Sequence, residues 1–225
     1  ENNPTPFLGR IEATNPCGEQ PLLPHESCNL GSINLSKFIN KDRTDLCWKA
    51  LKNTVKLAVR FLDNVIDANC YPITEIKQIT LSNRKIGLGV MGFADTLILL
   101  GKSYDSDESV DLAKKLMSFI QDQAHKASSE LAKVRGSFPN WEKSIWNIKY
   151  HIPMRNAAVT TIAPTGSISI IAGCSSGIEP VFSFAYVRKT RDSGDFLQIH
   201  PLLEKIGTEQ GWLTEKEKNM LLEGR

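Results

Sequence analysis

The sequence predicts an α/β fold, because two long segments of helical periodicity alternate with shorter apolar runs of strand character. The helical segments are 45–68 and 107–134, in which apolar residues recur at three- and four-residue spacing. Residues 157–163 and 181–187 have strand character, and 84–92 predicts a short strand and a glycine turn. With 225 residues, the chain is long enough for one sizeable core and one domain.

The first part of the chain predicts a loop followed by a helix. Residues 1–30 are rich in Pro, Gly, Asn and Glu, which is typical of an extended entry segment, and a short polar and apolar stretch follows at 32–38. Thr44 or Asp45 is expected to cap the first long helix, and Pro72 lies just beyond its end.

The remaining elements are predicted from similar signals at their ends. Residues 93–100 form a short helical pattern that Gly101 closes. Ser106 is the expected N-cap of the second long helix, and Gly136 its expected terminator. The tail at 202–222 predicts two short helices.

Composition excludes several classes of function. The net charge is +2, with Lys and Arg scattered among Asp and Glu, so neither nucleic acid nor a membrane surface is an expected partner. No run approaches the ~20 apolar residues that span a bilayer, and the first residues lack the features of a signal peptide. A cytoplasmic location is therefore expected. Because the chain does not begin with Met, we interpret it as an excerpt from a longer protein.

The five cysteines do not predict a disulfide scaffold or a metal centre. Their number is odd, no Cys-x-x-Cys occurs, and the four histidines lie far apart. His25, between two cysteines, is interpreted as a solvated loop residue. No metal ligands are expected.

The segment Asn15-Pro16-Cys17-Gly18-Glu19 is the first candidate site. On an extended backbone, side chains at i, i+2 and i+4 point the same way, so an amide, a thiol and a carboxylate would share one small area. Pro16 favours extension of Asn15, and Gly18 removes bulk between the thiol and the carboxylate. Such a set can bind a hydroxylated ligand, move a proton and carry out sulfur chemistry.

A second thiol follows eleven residues later, at Cys28. A loop of that length can fold back and bring Cys28 near Cys17. The alternative interpretation is that each is a small buried apolar residue, which is how free cysteines often occur in proteins.

The segment 163–169 is the second candidate site. A β-type run ends in Pro164-Thr165-Gly166-Ser167, where small residues let backbone N–H groups converge on an anion. The hydroxyls of Thr165, Ser167 and Ser169 add donors. The alternative is a plain strand-to-helix loop.

Four motifs together resemble the ribonucleotide reductase family. Asn-Pro-Cys-Gly-Glu at 15–19, followed by 26–35, looks like the finger loop of these enzymes and is most similar to the cobalamin-dependent, class II branch. Ala-Pro-Thr-Gly-Ser-Ile-Ser at 163–169 looks like their phosphate loop, and 177–180 is also similar. The resemblance implies a ten-stranded α/β barrel with a central finger loop, of which residues 1–225 would be part (finger loop about 11–35).

The resemblance also implies residue roles in reducing ribonucleotides to deoxyribonucleotides. Cys17 would become a thiyl radical, Glu19 would accept a proton, Asn15 would hydrogen-bond the substrate hydroxyls, and Cys28 would supply reducing equivalents. A radical site of this kind is expected to be shielded from water inside the barrel. The implied substrate-binding residues are Asn15, Pro16, Cys17, Gly18, Glu19, Pro164, Thr165, Gly166, Ser167 and Ile168.

The resemblance implies cofactors and partners as well. Adenosylcobalamin would be the cofactor, a ribonucleoside di- or triphosphate the substrate, and a thioredoxin-type protein the reductant; a homodimer is compatible with it. The alternatives are a class I large subunit and a nucleotide-binding fragment without catalysis. The 225 residues alone are not expected to turn over.

Two further features are interpreted as structural. Gly87-Leu88-Gly89-Val90-Met91-Gly92 matches a dinucleotide-binding pattern, but 84–94 resembles a reductase barrel segment in which glycines serve close packing. Cys47, Cys70, Trp141 and Trp146 are also interpreted as structural. Cys174, near the phosphate loop, receives no role from the resemblance.

Overall fold

The computed structural model describes residues 3–190 and 194–222. The helices are α1 (Trp48–Ala68), α2 (Thr74–Asn83), α3 (Phe93–Leu99), α4 (Asp107–Arg135), α5 (Ile145–Ile148), α6 (Gly166–Ala172), α7 (Pro201–Glu209) and α8 (Glu215–Leu222). The strands are β1 (Ala13–Thr14), β2 (Pro21–Leu22), β3 (Asn29–Asn34), β4 (Ile86–Met91), β5 (Ala185–Thr190) and β6 (Gly194–Ile199). Short 3-10 helices lie at Pro6–Leu8, Leu35–Phe38 and Trp141–Lys143.

The central sheet is parallel, as an α/β fold requires. β3 and β4 pair in register from Asn29 opposite Ile86 to Asn34 opposite Met91. β1 with β2 and β5 with β6 form antiparallel pairs. Over the ranges 3–190 and 194–222, these are sheets of two strands, so the structure supports the α/β class without forming the closed ten-stranded barrel.

The run at 157–163 lies against the other edge of β4 but is not a regular strand. Thr160 forms a parallel bridge with Leu88, and the Ile86 and Leu88 N–H groups donate to Ala158 and Val159 at 3.0 and 2.8 Å. The segment 157–163 therefore pairs with β4 in a parallel but irregular way and does not form the predicted strand.

β4 is buried along its whole length, and its glycines allow neighbouring chains to approach closely. A Cβ on Gly89 would lie 2.8 Å from the carbonyl oxygen of Thr161. The interpretation that these glycines serve packing is therefore confirmed. Because Gly87 and Gly89 lie inside the strand and not in a turn after it, they do not form a dinucleotide-binding loop.

The two long helices pack against each other, α1 also contacts β3 and β4, and both helices contribute to the buried core. α4 begins after Ser106, whose hydroxyl accepts from the Ser109 N–H at 3.3 Å, and ends at Gly136 with φ +83°, as predicted. The apolar residues that these helices bury are Leu51, Val55, Val59, Leu62 and Ile66 on α1 and Leu116, Ile120, Ala124, Ala127 and Ala132 on α4.

Two predicted boundaries are wrong, and one helix is not predicted. The residue before α1 is Cys47, without a side-chain cap, because the Asp45 carboxylate instead accepts from Trp48 Nε1 at 3.0 Å and the Leu46 N–H at 2.7 Å. α2 was not predicted, since its periodicity is weak and it buries only Thr80 and Asn83. The run at 181–187 overlaps only the first part of β5.

Several other predictions are confirmed. α3 lies within the predicted 93–100 segment, which ends at Gly101 with φ +66°, and α7 and α8 are the predicted tail helices. Trp141 and Trp146 pack against the core. Among the described residues, no helix is both long and apolar enough to cross a bilayer.

One buried carboxylate joins four parts of the chain. The Asp63 side chain on α1 is fully buried and accepts from Arg84 Nη2 at 2.8 Å, Arg135 Nη1 at 2.9 Å, Arg155 Nε at 3.3 Å and Asn156 Nδ2 at 3.1 Å. These donors lie at the start of β4, the end of α4 and the segment before the irregular run. Asp63 therefore fixes the helices relative to the sheet.

We predict that Asp63→Ala lowers the free energy of unfolding by about 3–5 kcal/mol, because it removes the carboxylate shared by the buried Arg84 and the partly exposed Arg135 and Arg155. Urea denaturation followed by tryptophan fluorescence measures this change. Asp111→Ala, which removes the exposed ion pair with Lys114, is the control and should barely move the midpoint. Similar midpoint shifts in both variants would contradict the role of Asp63.

Candidate active site

The segment 15–20 forms the turn of a hairpin between β1 and β2, and is not extended. The Gly18 N–H donates to Asn15 O at 3.0 Å, and the Asn15 N–H donates to Gln20 O at 3.2 Å. Asn15 Oδ1 accepts from the Gln20 N–H at 3.0 Å, and Gly18 has φ +80°. Asn at the first position, Pro16 at the second and Gly at the fourth are typical of a type I turn.

The prediction that alternation along an extended strand aligns Asn15, Cys17 and Glu19 is therefore wrong. The turn still keeps the three residues on one short hairpin. Asn15 is half-buried and uses its amide oxygen within the turn, whereas Cys17 is exposed at the tip. The expected shielding of Cys17 is not provided by the residues that the structure describes.

Glu19 is the member of this group that points inward. Its Oε2 is buried and has no hydrogen-bond partner among residues 3–190 and 194–222. Its backbone oxygen accepts from Thr161 Oγ1 at 2.8 Å. A buried carboxylate oxygen without a donor is costly, so Glu19 is suited to bind a hydroxyl or to accept a proton.

Cys28 lies close enough to Glu19 for their charges to interact. The Cys28 thiol is partly buried at the start of β3, and its Sγ lies 3.6 Å from Asn29 O. Burial raises the pKa of Cys28 to about 12; Lys85 opposes this rise, and Glu26 and Glu19 add to it. Cys28 is therefore a neutral thiol at physiological pH.

A buried ion pair holds the return segment of the hairpin. Glu26 accepts from Lys85 Nζ and Asn83 Nδ2, each at 2.7 Å, and from the Leu23 N–H at 2.8 Å. Lys85 Nζ also donates to Pro21 O at 3.1 Å. Sequence reasoning missed these residues, because Lys and Glu are usually solvated and no local pattern marks a buried pair.

The segment 163–169 turns into α6, as the anion-binding interpretation requires. Thr165 has φ +56° and is buried, and its Oγ1 accepts from the Gly177 N–H at 2.7 Å. Ser169 is also buried and shares a hydrogen bond with Ser176 at 3.0 Å. Of the three predicted hydroxyl donors, only Ser167 is exposed. The other exposed members of this loop are Pro164, Gly166 and Ile168.

The remaining cysteines and His25 differ in how far they are exposed. Cys47 and Cys70, interpreted as structural, are exposed and flank α1 without contributing to the buried core. Cys174 is half-buried, and burial with the nearby Asp95 raises its pKa to about 11. His25 is an exposed loop residue, as expected. No cluster of three or more potential metal ligands occurs within the described part of the chain.

Fold and site define an α/β domain that presents a thiol and a carboxylate on one hairpin beside a second thiol. Residues 1–152 and 147–224 match the family model of the ribonucleotide reductase barrel domain, and the chain belongs to that family.

Comparison with curated proteins identifies relatives of one kind. The vitamin B12-dependent ribonucleoside-diphosphate reductase of Thermoplasma acidophilum is 55% identical over 95% of this chain and 28% of that protein. The protein of the same name from Mycobacterium tuberculosis is 49% identical over 95% of this chain and 30% of that protein. The ribonucleoside-diphosphate reductase large subunit of Plasmodium falciparum is 32% identical over 96% of this chain and 30% of that protein. The chain thus spans about three tenths of the length of these relatives.

We predict that alkylating agents modify Cys28 far more slowly than the exposed Cys70. With a pKa of about 12, only on the order of one Cys28 side chain in 10⁴ is a thiolate at pH 8, and the thiolate is the reactive form. Timed iodoacetamide labelling with mass spectrometry of the peptides measures both rates. Equal rates would show that Cys28 is not held as a buried neutral thiol.

Proposed function

We propose that this chain is part of the catalytic barrel domain of an enzyme that reduces ribonucleotides to deoxyribonucleotides by radical chemistry. Its family membership and its identity to vitamin B12-dependent reductases support this assignment. The ten-stranded barrel, the finger loop at about 11–35 and the phosphate loop at 163–169 are parts of the same proposal.

The observation that carries the proposal is the environment of Glu19. One oxygen of its carboxylate is buried and has no hydrogen-bond partner within the part of the chain that the structure describes. Glu19 lies on the hairpin that bears Asn15 and Cys17, and its charge acts on Cys28. Its backbone is bonded to Thr161, four residues before Thr165. A sugar hydroxyl is the kind of group that would satisfy this carboxylate.

In the proposed reaction, the thiyl radical of Cys17 forms an S–H bond as the C3′–H bond of the ribose breaks. Glu19 accepts the proton of the 3′ hydroxyl, and Asn15 hydrogen-bonds the substrate hydroxyls. The 2′ hydroxyl leaves as water and C2′ gains a hydrogen; Cys28 and a second thiol supply the two electrons and two protons and become a disulfide. Cys17 then returns its hydrogen to C3′ and is again a thiyl radical, and Glu19 returns its proton to the 3′ oxygen. A thioredoxin-type reductant would then restore the thiols.

Substrate phosphates are proposed to bind at 163–169. The first N–H groups of a helix have no partner within it, and at α6 these belong to the exposed Gly166, Ser167 and Ile168. Thr165 shapes the turn through its left-handed backbone, and Pro164 precedes it. A di- or triphosphate fits this chemistry equally.

Adenosylcobalamin is the proposed cofactor, and it would supply the one-electron chemistry that makes Cys17 a radical. The exposed position of Cys17 fits this role, because its thiol is accessible to a cofactor approaching the tip of the hairpin. Shielding of the radical from water would come from the rest of the barrel. The proposed location of the enzyme is the cytoplasm.

The near alternative is a class I large subunit, which takes its radical from a separate subunit. Relatives named subunit alpha are also similar, such as that of Chlamydia pneumoniae, at 37% identity. The higher identity to the vitamin B12-dependent proteins favours the first proposal. A nucleotide-binding fragment without catalysis would keep 163–169 but would not need the carboxylate of Glu19.

We predict that Cys17→Ser abolishes ribonucleotide reduction by the full-length protein, because a hydroxyl does not replace the thiol as a radical carrier. Reduction of a labelled ribonucleotide, with and without adenosylcobalamin, is the measurement. Cys70→Ser is the control and should retain full activity. Activity that depends on a second protein subunit and not on the cobalamin would favour the class I alternative.

We predict that Glu19→Gln lowers kcat about 10²-fold or more, since proton transfer by a positioned carboxylate contributes about 10²–10⁴-fold. Glu12→Gln changes an exposed residue of the same loop and should leave turnover unchanged. A Glu19→Gln variant with normal kcat would exclude Glu19 as the proton acceptor.

A further inference from the structure

The segment between the hairpin and Cys28 is bonded to one short stretch of the chain, the end of α2 and the start of β4. Lys85 and Asn83 bind Glu26, and Ser27 Oγ lies 2.8 Å from Thr80 Oγ1. Glu26 and Ser27 are the two residues that precede Cys28. The position of this thiol therefore depends on α2 and β4, and not on the hairpin alone.

Two of these groups carry opposite buried charges. The side chains of Lys85 and Glu26 are only 1% and 0% exposed, and their charged atoms lie 2.7 Å apart. A buried ion pair gives little net stability compared with well-packed apolar residues. A specific orientation of the neighbouring groups is therefore the stronger reason to bury this pair beside a thiol.

We propose that Lys85 and Glu26 are positioning residues for the Cys28 thiol: their buried ion pair fixes the segment that leads to Cys28, and it places one charge of each sign where it acts on that thiol. The use of that thiol in ribonucleotide reduction rests on the proposed function. The arrangement of charges around Cys28 does not rest on the proposed function, and the alkylation rate of Cys28 reports on it without any turnover.

The two charges act on Cys28 in opposite directions. Lys85 favours the thiolate, and Glu26 and Glu19 oppose it; the effect of Lys85 is larger than that of Glu26. Removing Glu26 alone leaves Lys85 uncompensated and lowers the pKa of Cys28. Removing Lys85 removes the charge that favours the thiolate and raises the pKa of Cys28.

The experiment is the alkylation rate of Cys28 by iodoacetamide at fixed pH, in the full-length protein carrying Cys17→Ser. Since a shift of one pKa unit changes the thiolate fraction about tenfold, we expect Glu26→Gln to react about threefold faster or more. Lys85→Met should react more slowly than the parent by a similar factor. Lys85→Arg, which keeps the charge, should stay near the parent rate.

The control for simple loosening of the segment is Thr80→Val, which removes the bond to Ser27 without changing any charge. If the ion pair served only to hold the chain, Glu26→Gln, Lys85→Met and Thr80→Val would all expose Cys28 and accelerate alkylation, and that result would overturn the proposal. If Lys85→Met does not fold, the alkylation rates of Cys28 in Glu26→Gln and Thr80→Val are compared instead. Equal rates in these two variants would also overturn the proposal.

A separate assay distinguishes this proposal from the proposed function. With Cys17 intact, Glu26→Gln should lower ribonucleotide reduction more than Thr80→Val does, and unchanged turnover would overturn the positioning role. A wild-type protein that does not reduce ribonucleotides would instead contradict the proposed function. The opposite changes in alkylation rate would remain as evidence for the charge arrangement.

Discussion

Two adjacent buried cations, Arg84 and Lys85, organise the molecule on which the site depends. Arg84 ends α2 in a left-handed conformation, with φ +49°, and binds Asp63 on α1. Lys85 points to Glu26 on the return segment of the hairpin. Because each cation must keep its buried partner, the helical core and the candidate active site are held to the same point at the start of β4.

This arrangement explains how a mostly exposed hairpin is held in one place. β1 is exposed, and β2 buries only Leu22, so apolar burial contributes little to its position. Polar bonds replace it: the Glu26 ion pair, the bond from Thr161 to Glu19, and the turn closed by Asn15. Reactive groups held by directional bonds keep a defined orientation, which radical and proton-transfer chemistry requires.

The sequence predicted those parts of the fold in which local signals agree. α4 has strong periodicity, a serine cap and a terminal glycine, and its predicted ends were accurate to one residue. α2 lacks such periodicity and was missed. The segment 157–163 has strand composition, but its pairing with β4 is irregular, which composition does not encode.

By itself, the sequence determined the α/β class, the long helices and which residues are candidates for the site, because propensity, periodicity and motif spacing are local properties. Only the tertiary structure decided how those residues are presented. It turned Glu19 inward and buried Lys85 against Glu26. These outcomes depend on contacts between residues up to 142 positions apart, and long-range desolvation and pairing leave no signature in a local pattern.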